Sequence, residues 1–346
     1  MKPADFAEKH LLNRSLLSFL LYPASLCYAS LMRWRRNLYA HKGYRAPFKV
    51  ISIGNLVIGG SGKTPIAIAI CNALHQKGLR VAYASRGYKS GLEQQAKLVW
   101  DGSKLFFNAH DAGDEAVMAA KMLPGIPVFS GAKRKQVLML VHQIFPNLDA
   151  IILDDAFQHL KVARDLDIIV FDTELALGNG FTIPAGYLRE DLSALDSRSI
   201  CLLHQKPGST RNPSLEKRLR STGAKVYQIQ SSCKHIYKNS IEIDPKTLES
   251  ENITVVSGIA NPRSLEQGLA QMGIRYQKHL RFGDHHSFID DASRNTILND
   301  TSKYIICTAK DAVKLKTLVG SKMLVISLST TLPEDLINSI ISTINR

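Results

Sequence analysis

FKVISIGNLVIGGSGKTPIAIAI, from Phe48 to Ile70, is the stretch whose reading decides the fold. Val50 to Ile53 is an apolar run of the kind that forms a buried strand. A glycine-rich turn follows, then Lys63-Thr64, then an apolar segment with helical character. Strand, glycine loop and helix in that order make a cradle for phosphate, because backbone N–H groups and the helix N-terminus converge on the anion. Val57, Ile58, Gly59, Gly60, Ser61 and Gly62 supply the backbone of that loop. Lys63 is placed to reach terminal phosphates, and the Thr64 hydroxyl to bind Mg²⁺. The spacing departs from GxxxxGK[ST], since Val57 stands where the first glycine belongs. The form GGSGKT is closer to loops with a paired glycine.

Working outward, Arg80 to Ser85 predicts a second strand, ending in Ser85-Arg86-Gly87-Tyr88-Lys89. Ligands of open α/β sheets sit at such strand ends, so Arg86 and Lys89 are candidates to hold phosphate; a solvated basic loop is the alternative. Gly113-Asp114-Glu115 opens an apolar helix. Two acids there either complement the helix dipole or form a catalytic pair, one as base and one on metal. Ala150 to Asp155, AIILDD, is an apolar strand ending in two aspartates. After a phosphate loop this is the Walker B arrangement, in which Asp154 or Asp155 holds Mg²⁺ directly or through water. Gln158 and His159 lie beside the same edge. Arg189-Glu190 follows the turn-rich Pro184–Leu188. Apolar strands separated by helices indicate a mostly parallel sheet covered on both faces.

The chain has 346 residues and a formal net charge of +14, which points to an anionic partner. Residues 1–49 carry nine Lys/Arg against Asp5 and Glu8, so 9 − 2 gives +7, half of the total. Ser15 to Met32 is uncharged, and Arg33-Trp34-Arg35-Arg36 follows. An apolar helix with a cationic, aromatic end fits the surface of an anionic bilayer. Packing on the protein's own core and a true span are the alternatives, the latter weakened by Pro23. No small-residue cleavage site follows, which excludes a signal peptide. The charge does not interleave with aromatics along a sheet, which disfavours nucleic acid. Five scattered cysteines indicate a reducing compartment.

Four units are expected: 1–45, a membrane-associated helical segment; 46–205, the phosphate-loop core; 206–250, a connecting region; and 251–346, a smaller α/β lobe. In the connecting region Lys225 to Ile229 and His235 to Tyr237 suggest short strands. The turns at Gly258–Pro262 and Thr308–Asp311 give the lobe ligand-binding character. An NTPase of protein targeting or metal insertion is a competing reading of the paired glycine, but such proteins usually carry Lys where Ile58 stands.

Together GNLVIGGSGKTP, SRGYKSG, GDEA, LDDAFQH, PAGYLRE, GIANP, FGDHHSF and TAKDAVKL make the chain resemble the tetraacyldisaccharide 4′-kinases. The resemblance runs along nearly the whole chain, and only 205–250 shows no pattern. It implies an ATP- and Mg²⁺-dependent kinase, peripheral on the cytoplasmic face of the bacterial inner membrane. Its substrate would be an anionic glycolipid, a tetraacylated glucosamine disaccharide 1-phosphate, converted to lipid IVA in lipid A biosynthesis. No obligate protein partner is expected. The resemblance further implies an Asp114–His285 dyad as base. The positions at strand and helix ends themselves put Glu115, Asp154, Asp155 and Thr64 on metal, and Ser85, Arg86, Gly87, Tyr88, Gln158, His159, Arg189 and Glu190 around the sugar.

Overall fold

The computed structural model describes residues 12–40, 42–58, 62–88, 90–239, 241–259, 261–284 and 286–346. The expected roles of Gly59, Gly60, Ser61 and His285, and the basic position Lys89, fall outside the described residues.

Helix α1 (Leu16–Tyr39) starts at a capping box in which the Ser15 side chain accepts from the Ser18 N–H. β1 (Lys49–Gly54) and α2 (Lys63–Gln76) flank the phosphate loop as expected. β2 (Val81–Ser85), β3 (Lys97–Trp100), α3 (Ala109–Ala112), α4 (Asp114–Met122), β4 (Val128–Ser130), α5 (Arg134–Ile144), β5 (Ala150–Asp154), β6 (Leu166–Asp172) and β7 (Ser199–Gln205) complete the nucleotide half. Strands β1, β2, β4, β5, β6 and β7 are parallel, and only β3 runs antiparallel at the edge. β1, β2 and β5 are buried almost throughout, because helices cover both faces.

After α6 (Pro213–Arg220) the chain enters β8 (Lys225–Lys238). Sequence suggests two short strands here; the structure has one strand of 14 residues. Its first part pairs parallel with β7, ending at Gln205↔Gln230. Its second part carries the short β9 (Ile241–Ile243). The rest comprises β10 (Ile253–Ser257), α7 (Pro262–Gln271), β11 (Lys278–Arg281), α8 (Asp291–Leu298), β12 (Tyr304–Thr308), α9 (Ala309–Val319), β13 (Met323–Thr331) and α10 (Glu334–Ile344). β13 pairs antiparallel with β8, from Thr331↔Gln230 to Val325↔Tyr237, and β12, β10 and β11 extend the sheet in parallel with β13. The described strands therefore form one continuous sheet.

This register positions the site. Gln230 lies level with the C-terminal ends of both β7 and β13. The strands of the two halves run in opposite directions, so their carboxyl edges face each other across that level. The last helix returns to the first half: Leu336, Ile337 and Ile340 of α10 share a core cluster with Ile66, Ile70 and Leu74 of α2.

Candidate active site

The β1–α2 turn brings Gly62 to φ +77°, a left-handed conformation that glycine adopts without strain, as the N-cap of α2. Lys63 follows at the first helical position. Its ammonium lies 3.3 Å from Asn55 Oδ1 and 3.3 Å from Asp155 Oδ1. The Thr64 hydroxyl donates to Asp154 Oδ2 at 2.7 Å, and the Tyr83 hydroxyl donates to the same oxygen at 2.8 Å. Val57 bridges to Leu188, and the Ile58 N–H donates to the Tyr187 carbonyl at 2.9 Å. The loop is thus tied to the segment that presents Arg189.

The two aspartates at the tip of β5 differ in environment. Asp154 is buried, and burial raises its carboxyl above the usual range, against the bonds from Thr64 and Tyr83. Burial also pushes Asp155 upward, but Lys63 and Arg189, the latter at 3.9 Å, outweigh it and hold that carboxyl below its ordinary value. Asp155 sits at φ +49°, a cost that persists where the surroundings enforce it. Glu115, the second residue of α4, faces the same place. Burial first and Asp154 second push it up to about 7. Buried carboxyls raised side by side mark a candidate functional site.

Behind β5 stands Arg134, 2% exposed. Its guanidinium donates to the carbonyls of Ser85 and Asp154, and to that of Gly131 at 3.5 Å. It therefore fixes the ends of β2 and β5 relative to each other. Sequence reading gives Arg134 no role. The available signal was a cation in the first turn of a helix, where the dipole disfavours it.

Asp114 opens α4 and pairs with Lys314 Nζ of α9 at 2.5 Å, while the same ammonium donates to the His286 carbonyl at 2.9 Å. Lys310, one turn earlier, pairs with Asp284 at 3.0 Å and its charge partly offsets the raised Glu115. The sequence marked the Thr308–Asp311 turn and the TAKDAVKL block but gave neither lysine a role, since i,i+4 lysines also decorate solvated helices. His286, adjacent to the expected dyad position, accepts from the Phe288 N–H through Nδ1 at 3.1 Å and stacks on Phe282.

The expected sugar-contacting residues split into groups. Ser85 is buried, and its carbonyl is taken by Arg134. Gly87 has φ +70°, and a Cβ there would fall 2.4 Å from Ser130 Oγ, so the turn requires glycine. Arg86 and Tyr88 are exposed, with Arg86 on Glu93 at 3.1 Å. The Gln158 amide donates to the Asn55 carbonyl at 2.9 Å. Burial, then Arg134 and Arg86, lower His159 to about 4, so its imidazole is neutral at neutral pH. Glu190 does not stand open to solvent: it is 4% exposed, and Arg36 grips its Oε2 with two nitrogens at 2.9 and 2.8 Å while stacking over Phe157 at 4.3 Å.

That contact revises the expected lipid-facing arginine cluster. Arg36 turns inward to Glu190, Arg35 donates to the Gln158 carbonyl at 3.4 Å, and Arg33 lies 3.7 Å from Asp191. Helix α1 is held on the protein by small and polar groups, with Ser18, Ser25 and Ala29 buried and Ser25 Oγ 2.6 Å from Thr182 Oγ1. Its leucines face outward: Leu16 is 88% and Leu20 76% exposed, and Trp34 is 61% exposed. By length and composition α1 could cross a membrane.

Comparison with known proteins follows the same line. The family model described as "Tetraacyldisaccharide-1-P 4'-kinase" matches residues 17–345. The tetraacyldisaccharide 4'-kinase of Pelobacter propionicus is 34% identical over 321 residues, covering 90% of this chain and 87% of that protein. The enzyme of that name from Geobacter metallireducens is 34% identical over 326 residues, covering 88% and 90%. The crystal structure of "apo" form LpxK from Aquifex aeolicus in complex with ATP superposes with a TM-score of 0.77 at 26% identity, covering 95% of this chain and 100% of that one. With a phosphate loop, a Walker B strand and a second lobe facing them, and with these matches over nearly its full length, the chain belongs to the tetraacyldisaccharide 4'-kinase family.

Proposed function

We propose that the chain transfers the γ-phosphate of ATP to the 4′-hydroxyl of a tetraacylated glucosamine disaccharide 1-phosphate. The observation that carries the reading is the convergence of Lys63, Thr64, Asp154, Asp155 and Glu115 on one carboxyl edge. Phosphoryl transfer asks mainly for positioning and charge neutralisation. Lys63, anchored by Asn55 and Asp155, supplies a fixed positive charge for terminal phosphate oxygens.

The donor set suits Mg²⁺. Thr64, Glu115, Asp154 and Asp155 are hard oxygen ligands, and the raised carboxyls of Glu115 and Asp154 ionise readily once a cation joins them. Among the described residues no group of three or more His, Cys, Asp or Glu side chains is placed to hold a metal ion by itself. A bound Mg²⁺ would therefore need its remaining ligands from phosphates and water. Bound here, Mg²⁺ would neutralise charge on the β- and γ-phosphates.

Asp114 takes the proton of the sugar hydroxyl as the new P–O bond forms and the bond from the γ-phosphorus to the β–γ bridging oxygen breaks, releasing ADP, with His285 as the partner of Asp114. Lys314 engages Asp114 Oδ2 from the second lobe, so the carboxylate is already oriented by a group that approaches from the far side of the cleft. Arg86 and Arg189 offer guanidinium forks to the anionic groups of the substrate. Helix α1 lies at the lipid surface, its outward leucines in the acyl boundary. The acyl chains of the substrate would then stay in the bilayer while its sugars enter the cleft. The enzyme works at the cytoplasmic face of the inner membrane, where ATP is present.

The test is transfer of label from γ-³²P-ATP to the disaccharide lipid by purified protein, with and without Mg²⁺. Labelled lipid that depends on Mg²⁺ is expected. Label released only as phosphate, with none in lipid, would overturn the proposal.

A further inference from the structure

Beneath the phosphate loop lies a chain of hydrogen-bonding side chains that the reading above does not use. His204 is at the end of β7 and 3% exposed. Its Nε2 is 2.8 Å from Ser231 Oγ on β8, and Ser231 Oγ is 2.7 Å from Thr330 Oγ1 on β13. The other edge of the imidazole meets the loop itself. A methyl group built on Gly62 would lie 2.7 Å from His204 Cε1 and 3.0 Å from Nδ1. No side chain fits between them, so the backbone of Gly62 rests on the ring. Gly62 is the N-cap of α2 and the residue before Lys63.

The place of this chain in the sheet gives it a second property. Ser231 pairs with Thr330 one step beyond Gln230, where β8 leaves β7 and takes β13 as its partner. His204, Ser231 and Thr330 thus cross the line at which the two halves of the sheet join. We propose that His204 is a positioning residue for ATP, seating the phosphate loop through Gly62, and that Ser231 and Thr330 tie that seat to the lobe junction. The inference rests on the phosphate loop being the ATP site. A shift of β13 against β8 moves Thr330, and Ser231 passes the shift to the ring beneath Gly62. The arrangement of the lobes is thereby felt at the phosphates without a residue that touches nucleotide.

The reasoning predicts a split in kinetic effect. His204 acts on the seat of the triphosphate and not on the sugar, so KM for ATP moves and KM for lipid does not. A lost buried hydrogen bond corresponds to about a 5- to 10-fold change. His204→Ala is expected to raise KM for ATP by about that factor. His204→Gln, whose amide can take the place of Nε2 toward Ser231, is expected to recover most of it. Thr330→Val, which keeps shape and removes the hydroxyl, is expected to raise KM for ATP by a smaller factor. The double variant His204→Ala/Thr330→Val should be no worse than His204→Ala, since residues acting as one unit are non-additive.

The experiment uses the full chain with Mg·ATP and disaccharide lipid. It measures both KM values, and melting temperature in parallel. Lys63→Ala serves as control for the loop. Unchanged KM for ATP in His204→Ala, with only a lowered melting temperature, would reduce His204 to a core residue and overturn the proposal. Equal rises in both KM values, or fully additive losses in the double variant, would do the same. If His204→Ala does not fold, Ser231→Ala and Thr330→Val carry the test alone, and no change in either overturns it. A fully active Lys63→Ala protein would show instead that the loop reading has failed, and the inference with it.

Discussion

Glu115→Gln tests the electrostatics of the site through stability instead of activity. Burial, then the charge of Asp154, raise the Glu115 carboxyl to about 7 from an ordinary 4.5. The folded chain therefore holds a proton that the unfolded chain releases near 4.5. Between those two values the folded state binds more protons, so stability falls as pH rises through that window and is lowest above 7. The separation is 7 − 4.5, about 2.5 pH units, and each unit is worth about 1.4 kcal/mol, which sets a ceiling of about 3.5 kcal/mol. Part of that comes from Asp154, which relaxes when its neighbour is neutral, so roughly 1–3 kcal/mol is expected. The amide of the variant cannot ionise. In urea denaturation without nucleotide or metal, wild type and variant should nearly coincide at about pH 4, below the unfolded value, and the variant should be the more stable by that amount at about pH 8. Adding Mg·ATP should narrow the gap, because the cation supplies the missing charge to the wild type alone. A constant offset across pH, or a variant weaker at pH 8, would refute the reasoning.

Two further outcomes follow from α1 and its anchor. Arg36→Ala leaves the buried Glu190 carboxylate without its partner and should cost about 3 kcal/mol, whereas Glu190→Gln keeps an acceptor and should cost about 1 kcal/mol; equal costs by chemical denaturation would contradict the asymmetry. Leu16→Glu with Leu20→Glu should abolish sedimentation with anionic vesicles while leaving the melting temperature unchanged, since both leucines are exposed; vesicle binding that survives would remove α1 from the membrane.

The nucleotide half was legible because its signals are local. A buried strand, a glycine turn and a lysine with a hydroxyl neighbour occupy consecutive positions, and so does the run ending in Asp154 and Asp155. What stayed hidden depends on distant partners. The segment 225–238 reads as two short strands because Ser231 and Ser232 interrupt its apolar pattern; the hydroxyl at 231 is in fact engaged by His204 and Thr330 from neighbouring strands. Arg33, Arg35 and Arg36 look like a lipid-facing cluster until Glu190, Asp191 and Gln158 are brought beneath them. Lys314 gives no hint of Asp114, 200 residues earlier in sequence, because only the opposed sheet edges bring α9 onto α4.

The return of α10 to the core of α2 sets an order of events on the ribosome. Ile66, Ile70 and Leu74 emerge long before the side chains that finish their shelter, Leu336, Ile337 and Ile340. The far part of β8 likewise waits for β13, with a free hydrogen-bonding edge of the kind that invites pairing between chains. The nascent chain is therefore expected to complete its nucleotide core only after α10 has been made, and the interval between is when it is most exposed to aggregation. A chain cut before Leu336 would lose side chains that shelter α2, more than 260 residues earlier.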